Sequence, residues 1–128
     1  MLEHLCTIAF CSHVIRAINM TQNVVWTLVG SQAFVGSVDG VGTSAKFNGP
    51  SGLAVSSNGA FLFVVDMYSH NIRKVEIATR MVTTIAGSVS GAFGWADDLG
   101  TSALFSYPSA VALVASGVSL CTLLLLCQ

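Results

Sequence analysis

Short apolar runs, each closed by a polar turn, recur along the chain, and the clearest series lies between Pro50 and Gly87. After Pro50, Gly52 to Ser57 reads as a first strand, and Asn58-Gly59 is a strong signal for a tight hairpin because both residues accept positive φ. Phe61 to Met67 follows, and its unbroken FLFVV run predicts a strand covered on both faces. Tyr68 to Asn71 turns the chain. Ile72 to Ala78 mixes Arg73, Lys74 and Glu76 with Ile72, Val75 and Ile77, which predicts a third strand, partly exposed and nearer a sheet edge. Met81 to Ala86, rich in β-branched residues, is the fourth, and Gly87 ends it before a long Gly- and Ser-rich loop. No long amphipathic helical period competes with these strands, so the expected class is all-β.

The pattern repeats. His13 to Gly30 lies over His70 to Gly87 at an offset of 57, with 6 of 18 positions identical, and Gly40 to Ser51 lies over Asp98 to Ser109 at an offset of 58, with 7 of 12 identical. One extra loop residue accounts for the slip. Leu5 to His13, Leu62 to His70 and Leu120 to Gln128 share one phase, so the chain holds a little over two units and only one complete one. The expected divisions are 1–30, a partial blade; 31–87, the complete unit with its preceding long loop; and 88–128, a loop and a partial, degenerate blade with an apolar tail. Because stacked repeats need several neighbours to cover their faces, the chain is expected to be a fragment of a larger assembly or to self-associate.

Four short antiparallel strands per unit, repeated with turn-rich connections, describe the blade of a β-propeller. The residues that carry this order are PSGLAVSSNG, LFVVD, SHNIRKV, VTTIAG and DGVGTSAKFNGP. Together they closely resemble the NHL repeat in its long-loop variety, over nearly the whole chain. The resemblance implies a propeller, commonly six-bladed, of which this chain supplies about two blades, with loops or rims that bind ligands or partner proteins. The positions that the repeat marks as structural are His13, Arg16, Gly30, Phe47, Pro50, Asp66, His70, Arg73, Gly87, Phe105 and Pro108. The chain departs from the pattern where Ala9 and Leu124 stand at the phase of Asp66.

Composition narrows the chemistry. Hydrophobic residues make up 53% of the chain and charged ones 9%, with twelve glycines, seven phenylalanines and two prolines, which suits turns between apolar strands. Five cations against six acids give a net charge of −1, too few cations for the phosphate neutralisation on which nucleic-acid binding rests. Cys6, Cys11, Cys121 and Cys127 crowd the two ends without a CxxC pair and read as buried thiols; a disulfide such as Cys6 to Cys121 would need neighbouring strands.

Recurrence bears on the candidate catalytic groups. His13 and His70 fall at one phase, as do Arg16 and Arg73, and a residue that returns in every unit is better suited to holding a turn than to chemistry at a single site. A repeated guanidinium can tie a loop carbonyl or carboxylate in each blade. Asp39, Asp97 and Asp98 lack the alternating oxygen ligands of a calcium loop. Each precedes Gly-Thr-Ser-Ala, which predicts a short helical turn capped by Thr43 or Thr101, with Ala45 or Ala103 packed close and Phe47 or Phe105 plugging the space between blades. Gly36 to Gly42 lacks the Lys-Ser/Thr ending of a phosphate loop. No catalytic, metal or cofactor residues are assigned.

Ala110 to Cys127 is 18 residues without a charge, the length of a membrane helix, yet Ser116-Gly117 falls at the phase of Asn58-Gly59 and its halves overlay two strands. Two strands are expected, with membrane association through this tail as the competing reading. At the other end, LCTIAFC follows Glu3 and His4 rather than a basic segment, which argues against a signal peptide. No compartment follows from the sequence. The expected function is a non-enzymatic module binding a protein or small ligand through its loops. The alternatives are a piece of a lyase- or lactonase-like propeller enzyme and a membrane-anchored surface or sensor protein.

Overall fold

The computed structural model describes residues 4–9, 12–114 and 120–124. The strands are β1 His4–Ala9, β2 Val14–Asn19, β3 Val24–Gly30, β4 Gly40–Val41, β5 Pro50–Val55, β6 Phe61–Asp66, β7 Asn71–Glu76, β8 Met81–Gly87, β9 Pro108–Leu113 and β10 Leu120–Leu124. Three antiparallel sheets result, ordered β1-β2-β3, β4-β8-β7-β6-β5 and β10-β9. The fold is all-β and built of propeller-type blades. Expectations about Cys11, Ser116, Gly117 and Cys127 lie outside the described residues, as does the pairing of Cys6 with Cys121. Within Ala110 to Cys127, the described parts are extended: β9 and β10 pair with each other, Leu113 opposite Leu120. Among the described residues no helix is long and apolar enough to cross a membrane.

The β5–β6 hairpin forms where Asn58-Gly59 places it. Gly59 takes φ 69°, and the Ser56 hydroxyl and Asn58 side chain accept the Phe61 and Ala60 amides at 3.0 Å each, closing the turn from within. The repeat extends to irregularities: the β2–β3 register slips between Ile15 and Arg16, and the β7–β8 register between Ile72 and Arg73, one period later. Such a bulge turns the following side chain out of the strict alternation.

Two expectations are corrected. The third strand of the complete unit, β7, is central in its sheet, between β6 and β8, and Ile72, Arg73 and Val75 are buried. Its charged residues suggested an edge because the loop that neutralises Arg73 lies more than twenty positions upstream. Short 3-10 turns occur at Gly42–Ser44 and Gly100–Ser102, but Val41 and Leu99 stand at their caps and no side chain caps either turn. Thr43 and Thr101 are inside the turns and exposed.

The core lies between the first two sheets, where Ile15, Ala17, Leu28 and Val29 face Leu62, Val64, Val75 and Val82 with Ala45 and Phe47 of the connecting loop. On the other side β5 meets β9. A Cβ on Gly52 would stand 2.9 Å from Ala110 Cα, so the backbones approach as only glycine permits, and the Ser51 hydroxyl donates to the Ser109 carbonyl at 3.0 Å.

Candidate functional site on the long loops

The two long connections, 31–49 and 88–107, carry most of the exposed chemistry, and how they are held decides what they can present. The complete unit ties its loop from below. Arg73, with no exposed surface, donates from Nη2 to the Val38 carbonyl at 2.8 Å and to Asp39 Oδ1 at 2.7 Å, and from Nη1 to the Lys46 carbonyl at 2.9 Å. Its guanidinium lies 4.9 Å from the centre of the Phe47 ring. Thr84 completes the seat, giving its amide to Asp39 Oδ2 at 3.0 Å and its hydroxyl to Oδ1 at 2.9 Å. Burial raises the Asp39 pKa, but the Thr84 and Arg73 bonds outweigh it and hold the carboxyl below its ordinary value. Asp39 therefore serves as a loop anchor.

Asp66, fully buried at the end of β6, accepts the Asn48 amide at 2.7 Å and stands 3.5 Å from Arg73 Nη1. Desolvation pushes its pKa up, opposed by bonds from Ser69 and Asn48 and by the charge of Arg73. Sequence reasoning missed Asn71, whose side-chain NH2 donates at 2.9 Å to the Ser37 hydroxyl and to the Ser88 carbonyl, linking both loops. Valine stands at its phase in the first unit, so the repeat gave no signal.

The recurring histidines join neighbouring units. His13 Nδ1 accepts the Gly49 amide at 3.2 Å, and His70 Nδ1 accepts the Tyr107 amide at 3.1 Å. Both histidines are left-handed, φ 54° and 57°, which aims each ring along the chain toward the next unit. Burial lowers the His70 pKa. Gly30 and Gly87 pass directly over the His13 and His70 carbonyls and against the rings of Phe47 and Phe105. Phe47 is fully buried, Phe105 half-buried; Pro50 and Pro108 open β5 and β9 as buried residues. Arg16 is exposed.

Phe34 and Val35 are exposed on loop 31–49, which Arg73 holds from below; Val89, Phe93, Trp95 and Leu99 are exposed on loop 88–107, tied at its ends by Asn71 and His70, Trp95 at 74% and Leu99 at 87%. Lys46 Nζ stands 5.1 Å from the Phe34 ring centre. Behind Trp95 opens a cavity of about 560 Å³ bordered by Ala96, Asp97, Leu104 and Phe105. Among the described residues no three metal-binding side chains come together.

No protein-family model matches the chain. NHL repeat-containing protein 2 of Homo sapiens is 36% identical over 84 residues, 60% of this chain and 11% of that protein. Protein SUPPRESSOR OF QUENCHING 1, chloroplastic, of Arabidopsis thaliana is 32% identical over 82 residues, 64% of this chain and 8% of that protein. The chain thus spans a small part of these curated relatives. Among solved structures, an auxiliary nutrient binding protein from Bacteroides thetaiotaomicron superposes with a TM-score of 0.78 at 22% identity, covering 94% of this chain and 32% of that one. Another, from Bacteroides ovatus, has a TM-score of 0.74 at 25% identity over 87% of this chain and 30% of that one.

Proposed function

The chain is a run of NHL-type β-propeller repeats, and from that premise we propose that it is a non-enzymatic interaction module that holds a partner protein against its long loops. One observation carries this reading: large apolar side chains stand exposed on two loops tied to the blade by buried polar side chains, loop 31–49 by Arg73 and loop 88–107 at its ends by Asn71 and His70. Exposed aromatics gathered on one element are characteristic of binding surfaces, and fixing them beforehand lowers the entropy lost on association. Phe93 and Trp95 are the expected anchors, with Phe34 and Val35 contributing from the preceding loop. We read the complete ring as six-bladed, with further blades or further copies beside the units described.

Photo-crosslinking in a native extract tests the proposal, comparing the wild type with a Phe93→Ala, Trp95→Ala double variant and with Met20→Ala, an exposed residue off the long loops. Each exposed truncation should change stability by no more than about 0.5 kcal/mol. Specific adducts should disappear in the double variant and persist in Met20→Ala. Adducts that survive loss of both aromatics would place binding elsewhere.

A further inference from the structure

Two of the five asparagines precede glycine, Asn48-Gly49 and Asn58-Gly59. Such a pair is chemically reactive, because glycine has no side chain to obstruct its backbone nitrogen and its backbone turns freely. That nitrogen attacks the side-chain carbonyl carbon of the asparagine. A C–N bond forms to Cγ, the bond from Cγ to the side-chain nitrogen breaks, and the proton lost by the glycine amide leaves in the ammonia released. Water then opens the resulting five-membered imide at either carbonyl, giving aspartate or isoaspartate, whose main chain runs through the side-chain carbon. Asn19, Asn23 and Asn71 precede Met20, Val24 and Ile72, whose side chains hinder the same attack.

The fold treats the two pairs differently. At Asn48-Gly49 every backbone hydrogen-bonding group is held by another element. Asp66 Oδ1 accepts the Asn48 amide at 2.7 Å and His13 Nδ1 the Gly49 amide at 3.2 Å, while the Asn48 and Gly49 carbonyls accept the Tyr68 and Met67 amides at 3.1 and 3.2 Å. Gly49 is buried, and its nitrogen is freed only when the contact between the first two units opens. At Asn58-Gly59 the bonds stay within residues 56–61. Gly59 donates its amide to the Ser56 carbonyl at 2.9 Å, and the Asn58 side-chain oxygen accepts the Ser56 hydroxyl at 2.7 Å and the Ala60 amide at 3.0 Å. Asn58 is exposed. Closed, this tip keeps the nucleophile's proton engaged and the carboxamide fixed; opening it breaks only local bonds, which open most readily in a native protein.

We propose that Asn58 is a site of spontaneous modification, converted by water to aspartate and isoaspartate whenever the β5–β6 tip opens, while Asn48 is protected until the units separate. The two products differ in consequence. Aspartate keeps an oxygen that accepts from Ser56 and Ala60, so the turn re-forms. Isoaspartate adds a methylene to the main chain between Ser57 and Gly59, and the Gly59 amide no longer meets the Ser56 carbonyl. This loosens the end of β5, the strand whose Gly52 packs on Ala110. The site is thus a one-way record of hairpin opening, written on the strand that joins the blades.

Peptide mapping by mass spectrometry tests this on the full chain, held at mildly alkaline pH with and without denaturing urea, isoaspartate being identified by enzymatic methylation of its free α-carboxyl. In the folded chain Asn58 should convert at least about tenfold faster than Asn48, and in urea the two rates should agree within about threefold. Ser56→Ala removes the hydroxyl that donates to Asn58 and accepts the Phe61 amide at 3.0 Å. It should speed conversion of Asn58 about tenfold in the folded chain and leave Asn48 unchanged. Circular dichroism establishes that the variant folds, and the comparison of the two sites in the wild type stands without it. Equal rates at the two sites in the folded chain, an Asn58 that stays intact there while the denatured chain converts, or no acceleration in folded Ser56→Ala would each overturn the proposal.

Discussion

Arg73 concentrates the polar chemistry of the complete unit: a fully buried cation whose fork meets two carbonyls and a carboxylate. Arg73→Leu leaves Asp66 buried beside no cation and releases the loop, and should cost about 3–5 kcal/mol in urea unfolding. Arg73→Lys keeps the charge without the fork and should recover only part of that. A loss below 1 kcal/mol in Arg73→Leu, roughly the worth of a surface pair, would show that the loop is held otherwise. His70 adds a pH dependence of known sign. Its pKa lies below the ordinary 6.5, so the unfolded chain takes up the proton first. The stabilisation is full above pH 6.5 and is lost as pH falls through that value toward the lower folded one. The thermal midpoint should therefore drop between about pH 7 and 5, and less steeply in His70→Asn, which tolerates the left-handed backbone. An identical slope in the variant would contradict this. Recurrence exposed His70 and Arg73 in the sequence, but not their partners: which carbonyls a guanidinium meets depends on how the upstream loop folds back, and Asn71 has no repeat to mark it.

At the scale of elements, the strand order, the Asn58-Gly59 hairpin and, to within one residue, the limits of β6 and β8 were legible because short apolar runs punctuated by turn residues specify them locally. The central place of β7 was not. A strand bearing Arg, Lys and Glu reads as an edge unless the partner that neutralises the arginine is visible, and that partner belongs to another element. The close crossing of β8 over the β6–β7 turn separates two effects at glycine. Gly87 and Gly91 have nearly equal φ, 84° and 81°, but a Cβ at Gly87 would press on the His70 carbonyl and lie 2.8 Å from Asn71 Cα, whereas one at Gly91 meets nothing within 4 Å. Gly91→Ala should cost about 1 kcal/mol for its backbone alone, and Gly87→Ala about 3 kcal/mol or more, read as the difference in urea midpoints. Equal costs would mean that the crossing is looser than described.

Across the whole molecule, the described units are coupled by a small set of contacts that recur from one to the next: histidine to the amide just before the next unit's first full strand, glycine over the histidine carbonyl, phenylalanine against that glycine. Fold class and period could be read from the sequence because every unit states them again. The exposed apolar side chains of the loops could not, since their exposure depends on how each loop folds back on its unit. Consecutive units stack as propeller blades with their first strands side by side. The most direct test is a proton nuclear Overhauser spectrum of the isotope-labelled chain. It predicts a strong Hα–Hα cross-peak between Gly52 and Ala110, whose backbones touch where β5 meets β9. If both residues are assigned, each hairpin shows its own cross-strand peaks, and the Gly52–Ala110 peak is absent, the blades do not stack and the account fails.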